Sequence, residues 1–182
     1  MGGNKKFTLI TGGADHKIEV NRIAIEVVSD SVFPLPVDVR VFEEDTYLVL
    51  TVDPAMRYTD EHPIKLMTHI MEAKTKKPGS VVRKNSSWYA VVYDLDADPV
   101  CREEWIDNAY REALQLAEKR GITRLGLPLL GTVHGPYPAQ DSMQLLINQI
   151  KSLAFSKIKK IVIVAEQGFE EDVRKILAAV HR

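Results

Sequence analysis

Hydrophobic positions recur along this chain in two periods. Phe7 to Thr11 is a short β-like run that ends at the turn signal Thr11-Gly12-Gly13-Ala14-Asp15. From Lys17 to Val28 apolar residues alternate, Ile18 and Val20 in one phase and Ile23, Ile25 and Val27 in the other, so two strands are expected with a break at Asn21-Arg22. Phe33-Pro34-Leu35-Pro36 is a connection, because proline donates nothing to a ladder and restricts its predecessor. Val37, Val39 and Val41 alternate with Asp38, Arg40 and Phe42. Glu43-Glu44-Asp45 then reads as a turn into Tyr47 to Val52, a nearly continuous apolar run expected to be a strand buried on both faces. Asp53-Pro54 stops that run. A helix capped by Thr59 or Asp60 follows, with Leu66, Met67, Ile70 and Met71 on its apolar face, and it ends at Lys74 to Gly79.

The second half is more regular. Two strands, Ser80 to Arg83 and Trp88 to Leu95, lead to an amphipathic helix over Arg102 to Arg120 that places Trp105, Ala109, Ala113 and Leu116 toward a core and closes at Gly121. Ile122 to Leu127 is a strand. A helix from Ala139 to about Ser156 carries Met143, Leu146, Ile147 and Ile150 on one face; Lys160 to Ala165 is a buried strand and Glu170 to His181 a last helix. This β-α-β-α-β-α order predicts parallel strands joined by right-handed helical crossovers, an α/β fold.

Between the strand at Leu127 and the helix at Ala139 lies Leu130-Gly131-Thr132-Val133-His134-Gly135-Pro136-Tyr137. In an open α/β sheet, ligands bind outside the carboxyl ends of the strands. Gly131 and Gly135 lack a Cβ, so the backbone between them can approach an anion closely, and the functional reading is a phosphate-cradling loop. A plain turn is the other reading. The loop has neither the Gly-Lys-Ser/Thr of a P-loop nor a Gly-x-Gly-x-x-Gly fingerprint.

Composition narrows the classes. A chain of 182 residues, 45% hydrophobic and 27% charged, suits one soluble domain. With 24 Lys and Arg against 25 Asp and Glu, there is no bulk charge to favour nucleic acid or a membrane surface. Cys101 is the single cysteine, no run is long enough to span a bilayer and the start lacks a signal-peptide core, so a cytoplasmic location is expected. His134 is a candidate acid or base, and Asp53, placed at a strand's carboxyl end, a candidate for positioning water or binding a ribose hydroxyl. Tyr137 either stacks on a ligand or packs beside its flanking prolines. His62 with His69, and Asp94 with Asp96 and Asp98, fall short of metal-ligand patterns, so neither a metal nor a cofactor is expected.

The segment from Ser80 to Ile176 resembles a macro domain. The matching features are Pro78-Gly79-Ser80-Val81-Val82 before an aromatic and apolar strand, the helix with Ala109-Tyr110-Arg111-Glu112-Ala113-Leu114, and Ile122 to Leu127 running into Pro128-Leu129-Leu130-Gly131-Thr132-Val133-His134-Gly135. The resemblance implies a three-layer α/β/α sandwich with a mixed sheet, binding ADP-ribose or a related nucleotide, with Leu130 to Gly135 wrapping the diphosphate. The first half departs from the pattern. The Asn-Ala-Ala-Asn that ADP-ribose-processing members carry after a buried strand is replaced by Asp53-Pro54-Ala55-Met56 after Tyr47 to Val52, and the Gly-Asp pair that holds adenine has only Glu44-Asp45 near its place. A binding module follows as the leading expectation, with the phosphate end supplying more of the affinity than the base. The alternatives are a metal-independent hydrolase of ADP-ribosyl esters or ADP-ribose 1''-phosphate using Asp53 and His134, and a ligand-free homo-oligomeric scaffold with Phe7 to Val52 as added surface.

Overall fold

A computed structural model describes residues 18–51 and 75–180, together with the backbone of His181. Seven strands form one sheet in the order β1-β2-β7-β6-β3-β5-β4. They are β1 (Ile18–Val20), β2 (Ile23–Ser29), β3 (Val39–Asp45), β4 (Val81–Lys84), β5 (Ser87–Tyr93), β6 (Arg124–Leu127) and β7 (Lys160–Ala165), with helices α1 (Glu103–Arg120), α2 (Ala139–Ser152) and α3 (Glu170–His181). β2, β7, β6, β3 and β5 run parallel, and the antiparallel hairpin strands β1 and β4 close the two edges. Among the described residues no helix is long and apolar enough to cross a membrane.

The break expected at Asn21-Arg22 is a two-residue hairpin turn. Both residues have positive φ, 51° and 66°, which matches the twist of the flanking strands. The Asn21 side-chain amide donates to the carbonyls of Ile150 and Leu153, both at 2.8 Å, fastening the hairpin to the end of α2. One face of the sheet is apolar by strict alternation: Ile25 and Val27, Val39 and Val41, Trp88 and Ala90, Leu125 and Leu127, and Ile161 and Ile163 share a single core with the helices. α2 presents Met143, Leu146, Ile147 and Ile150 to it, all fully buried. α1 buries Ile106, Ala109, Tyr110, Ala113, Leu114 and Ala117, whereas Trp105 and Leu116, expected at its core, are half-buried at its margins. Gly121 ends α1 in the left-handed conformation.

The first half corrects two expectations. Glu43-Glu44-Asp45 is no turn; it is the buried carboxyl end of β3, which lies in the middle of the sheet between β6 and β5. Tyr47 to Thr51 is turn and bend, because the acidic residues before it take its backbone N–H groups. Asp45 accepts from Tyr47 (2.5 Å) and Val49 (3.3 Å), and Glu44 accepts from Leu50 (3.0 Å) and Thr51 (2.8 Å) and from the Thr51 hydroxyl. Such local side-chain acceptors compete directly with a ladder. Of the segment expected as added N-terminal surface, β1 lies at the sheet edge while β2 and β3 are interior strands of the common sheet. Phe7 to Thr11, the helix expected after Thr59 and the pair His62 and His69 lie outside the described residues.

Candidate functional site

Past Leu127 strand β6 ends, and β3 and β7 continue on either side of it, which opens a cleft at the carboxyl ends of the parallel strands. The cavity holds about 550 Å³ and is lined by residues from β3, from the end of β2, from the ends of β6 and β7, and from Thr132 to His134. Its walls are apolar at Val41, Leu129, Ile163 and Val164. Its charged groups are Asp30, Glu43 and Glu166 against Arg40, so among the described lining residues three carboxylates face one guanidinium.

Each of these charges has an environment. Asp30 follows β2; its Oδ1 accepts the Gln167 N–H at 3.1 Å, and its charge acts on Arg40, whose pKa burial lowers and Asp30 raises in part. Arg40 lies over the Phe42 ring at 4.7 Å, and Phe42 stacks on Tyr89 with ring centroids 6.0 Å apart. Phe169, 56% exposed, stands at the rim just past β7, where a planar ring can reach a ligand.

Glu43 is the residue that sequence reasoning missed. It is 2% exposed, and its carboxylate lies against the loop that was expected to hold a phosphate. Oε1 accepts the N–H groups of Thr132 (3.1 Å) and Val133 (3.4 Å), and Oε2 accepts the His134 N–H (3.2 Å) and the Tyr93 hydroxyl (2.7 Å). Three successive amides therefore converge on an acceptor, as a phosphate cradle requires, and the acceptor is the protein's own. A second anion within about 4 Å of that carboxylate would be repelled by roughly 4 kcal/mol at an effective dielectric of 20.

The loop's other residues are held from the core side. Leu130 is fully buried; its N–H donates to the Tyr110 hydroxyl (2.7 Å) and its carbonyl accepts the Ser142 hydroxyl (2.7 Å), while the two hydroxyls are 2.8 Å apart. Gly131 has φ +90°, and a Cβ there would sit 2.6 Å from Ile106 Cδ1 and 2.8 Å from Tyr137 Cβ. Gly135 has no positive φ; it is required because a Cβ would lie 2.7 Å from Tyr93 Cε1. Tyr137 packs on Gly131, and its hydroxyl donates to Glu103 on α1 at 3.2 Å, with its pKa pushed up to about 12 by burial and then by the Glu103 charge. It is not among the lining residues of the cleft. His134 is exposed at the cleft, edge-on to Tyr93 with centroids 6.5 Å apart.

Asp53 lies outside the described residues, and the strand expected to end at it is the turn and bend of Tyr47 to Thr51. Glu44 and Asp45 serve the backbone around them and are not among the cleft's lining residues, whereas Asp30, Glu43 and Glu166 are. In the Asp94 to Asp98 loop Asp96 accepts the Tyr47 hydroxyl from the turn after β3, and Asp94 accepts the Asp96 N–H at 3.1 Å. Among the described residues no group of three or more His, Cys, Asp or Glu is arranged to hold a metal ion.

Tyr93 and Cys101 are among the ionisable neighbours that register the Glu43 charge. Tyr93 is pushed well above the usual phenol range by burial, by the Glu43 charge and by its hydrogen bond, so it remains a donor. Cys101 is pushed from 9.0 up to about 11 by burial first and by Glu43 second. Its thiolate fraction at pH 8 is therefore about a hundredfold below that of an unperturbed thiol. Iodoacetamide alkylation should follow a titration centred near pH 11; a midpoint near 9 would show that the burial and the charge do not act on the thiol.

No protein-family model matches the chain, and no curated protein matches it. Solved structures do. A variant of the Oceanobacillus iheyensis macrodomain with ADPR superposes with a TM-score of 0.66 at 16% identity, over 90% of this chain and 97% of that one. The macro domain of ganglioside induced differentiation associated protein 2 gives 0.58 at 16% identity over 86% and 83%. The macrodomain of Thermus aquaticus DarG gives 0.54 at 14% identity over 78% and 98%.

Proposed function

We propose, from the macrodomain fold that this chain carries, that the cleft is the binding site of a nucleoside-type ligand, ADP-ribose or a part of it, held without turnover. The observation that supports this most is the position of the 550 Å³ cavity, open at the carboxyl ends of β2, β3 and β7, with an exposed aromatic ring and a carboxylate acceptor at one end and the Thr132 to His134 loop at the other. Structures of similar fold hold ADPR or ADP. Asp30 suits the role that the resemblance gives to an aspartate facing the adenine amino group, because a carboxylate accepts and an exocyclic amine donates. Phe169 would stack on the base.

In this reading the place of the Asn-Ala-Ala-Asn, the end of a buried strand, goes to Phe42-Glu43-Glu44-Asp45 at the end of β3 rather than to Asp53-Pro54-Ala55-Met56. Carboxylates accept only, so the donor capacity of two amides is absent, which favours binding over catalysis. The hydrolytic alternative has His134 at the cleft to support it, while Asp53 lies outside the described residues.

Calorimetry with adenosine and ADP-ribose tests the reading. Adenosine should bind, and Phe169→Ala should weaken it about tenfold, the loss of one base-aromatic stack of roughly 1–3 kcal/mol. Asp30→Ala should weaken it by a similar factor. Absence of adenosine binding below about 1 mM, equivalent to −4.1 kcal/mol, would overturn the proposal.

A further inference from the structure

We propose that the Glu43 carboxylate is the resident occupant of the anion cradle and sets the specificity of the cleft, which draws its affinity from the nucleoside end of a ligand and none from a diphosphate. This rests on the preceding reading for the existence of a ligand, while the state of the cradle stands on its own geometry. Thr132, Val133 and His134 each donate a backbone N–H to Glu43, and Tyr93 donates a fourth hydrogen bond. A diphosphate can take those amides only by displacing a carboxylate that is 2% exposed and already accepts from four donors. Among the described lining residues the cation is Arg40, which already faces Asp30 and lies over Phe42. Asp30 and Glu166 add further negative charge to the same cavity.

A consequence is that ADP-ribose should bind no more tightly than adenosine, which reverses the order expected from the loop sequence alone. Removing the carboxylate should leave three convergent amides free and turn the loop into an anion site. The test is a titration of the full chain with inorganic pyrophosphate, following the amide resonances of Thr132, Val133 and His134. The unmodified protein should show no saturable shift at those amides. Glu43→Ala should show one, with pyrophosphate bound at least about tenfold more tightly.

Because Glu43→Ala also removes the acceptor of the buried Tyr93 hydroxyl, Glu43→Gln is the second variant: it keeps an acceptor and the side-chain volume while discarding the charge. Its affinity for pyrophosphate should fall between the other two. Equal binding by the unmodified protein and both variants would overturn the proposal, as would the absence of saturable shifts in both variants. Adenosine binding by the unmodified protein is read separately. If adenosine fails while the pyrophosphate pattern appears, the nucleoside reading falls and the role of Glu43 in the cradle stands; the opposite result removes Glu43 and keeps the nucleoside site.

Discussion

Gly131→Ala is expected to lower the stability of the protein by about 3 kcal/mol. A residue with a Cβ held at φ +90° pays a conformational penalty of roughly 1–2 kcal/mol. The new methyl would also lie 2.6 Å from Ile106 Cδ1 and 2.8 Å from Tyr137 Cβ, contacts that real Cβ atoms do not make. Ile106 is fully buried, so displacing it repacks the core and adds a further contribution of roughly 1–3 kcal/mol. Urea denaturation should show a reduced midpoint with an unchanged slope. A loss below about 0.5 kcal/mol, the usual range for a surface substitution, would mean that the loop root is not packed against α1 as described. The same displacement would move Thr132 to His134 away from Glu43, so pyrophosphate titration of this variant would no longer report on an ordered cradle.

Tyr110→Phe is expected to cost about 2–3 kcal/mol although it removes a single oxygen. Leu130 N–H donates to the Tyr110 hydroxyl, that hydroxyl sits 2.8 Å from the Ser142 hydroxyl, and Ser142 donates to the Leu130 carbonyl, a closed ring in which all three residues are fully buried. Phenylalanine fills the volume and leaves the Leu130 N–H without an acceptor. An orphaned buried donor costs the desolvation of that group, roughly 1–3 kcal/mol, and the Leu130 position is fully buried. Ser142→Ala breaks the ring at a different point, and because the two substitutions remove members of one network their effects should be less than additive. Strict additivity in a double-mutant cycle would show that the ring is not cooperative. Hydrogen exchange of the Leu130 amide gives a second readout, since loss of the acceptor should expose the loop root to local opening.

Both predictions concern a loop whose composition was plain in the sequence and whose supports were not. Gly131 and Gly135 were identifiable as the positions where the backbone turns, but they are required for different reasons, one by its φ and one by the Tyr93 ring. Tyr137 was ambiguous between ligand and packing; in the structure it packs on Gly131 and bonds to Glu103, and the residues of the sheet form the cleft floor instead. On α1 the face was shifted by one position, from Trp105 to Ile106, because the helix is rotated to bring Tyr110 under the loop root.

What the sequence determined by itself was everything that depends on local period and local backbone chemistry. β7 at Lys160–Ala165 and α3 at Glu170–His181 lie where the apolar pattern put them, the Asn21-Arg22 turn divides β1 from β2, and Gly121 ends α1. These features need only neighbours a few residues away. What only the tertiary structure decided was the meaning of Phe42-Glu43-Glu44-Asp45. Three consecutive acids read as a solvated turn, since burying a charge without partners is prohibitive. Here the partners exist but are remote or lie ahead in the chain: Glu43 meets amides 89 to 91 residues downstream, and Glu44 and Asp45 collect the N–H groups of Tyr47 to Thr51. Once those bonds are formed the acids extend the central strand, the apolar run after them is denied a ladder, and the phosphate loop receives its anion from within. The pairing that makes burial affordable is set by the sheet order, in which β3 lies beside β6 and its loop, and no local pattern in the chain encodes that neighbour.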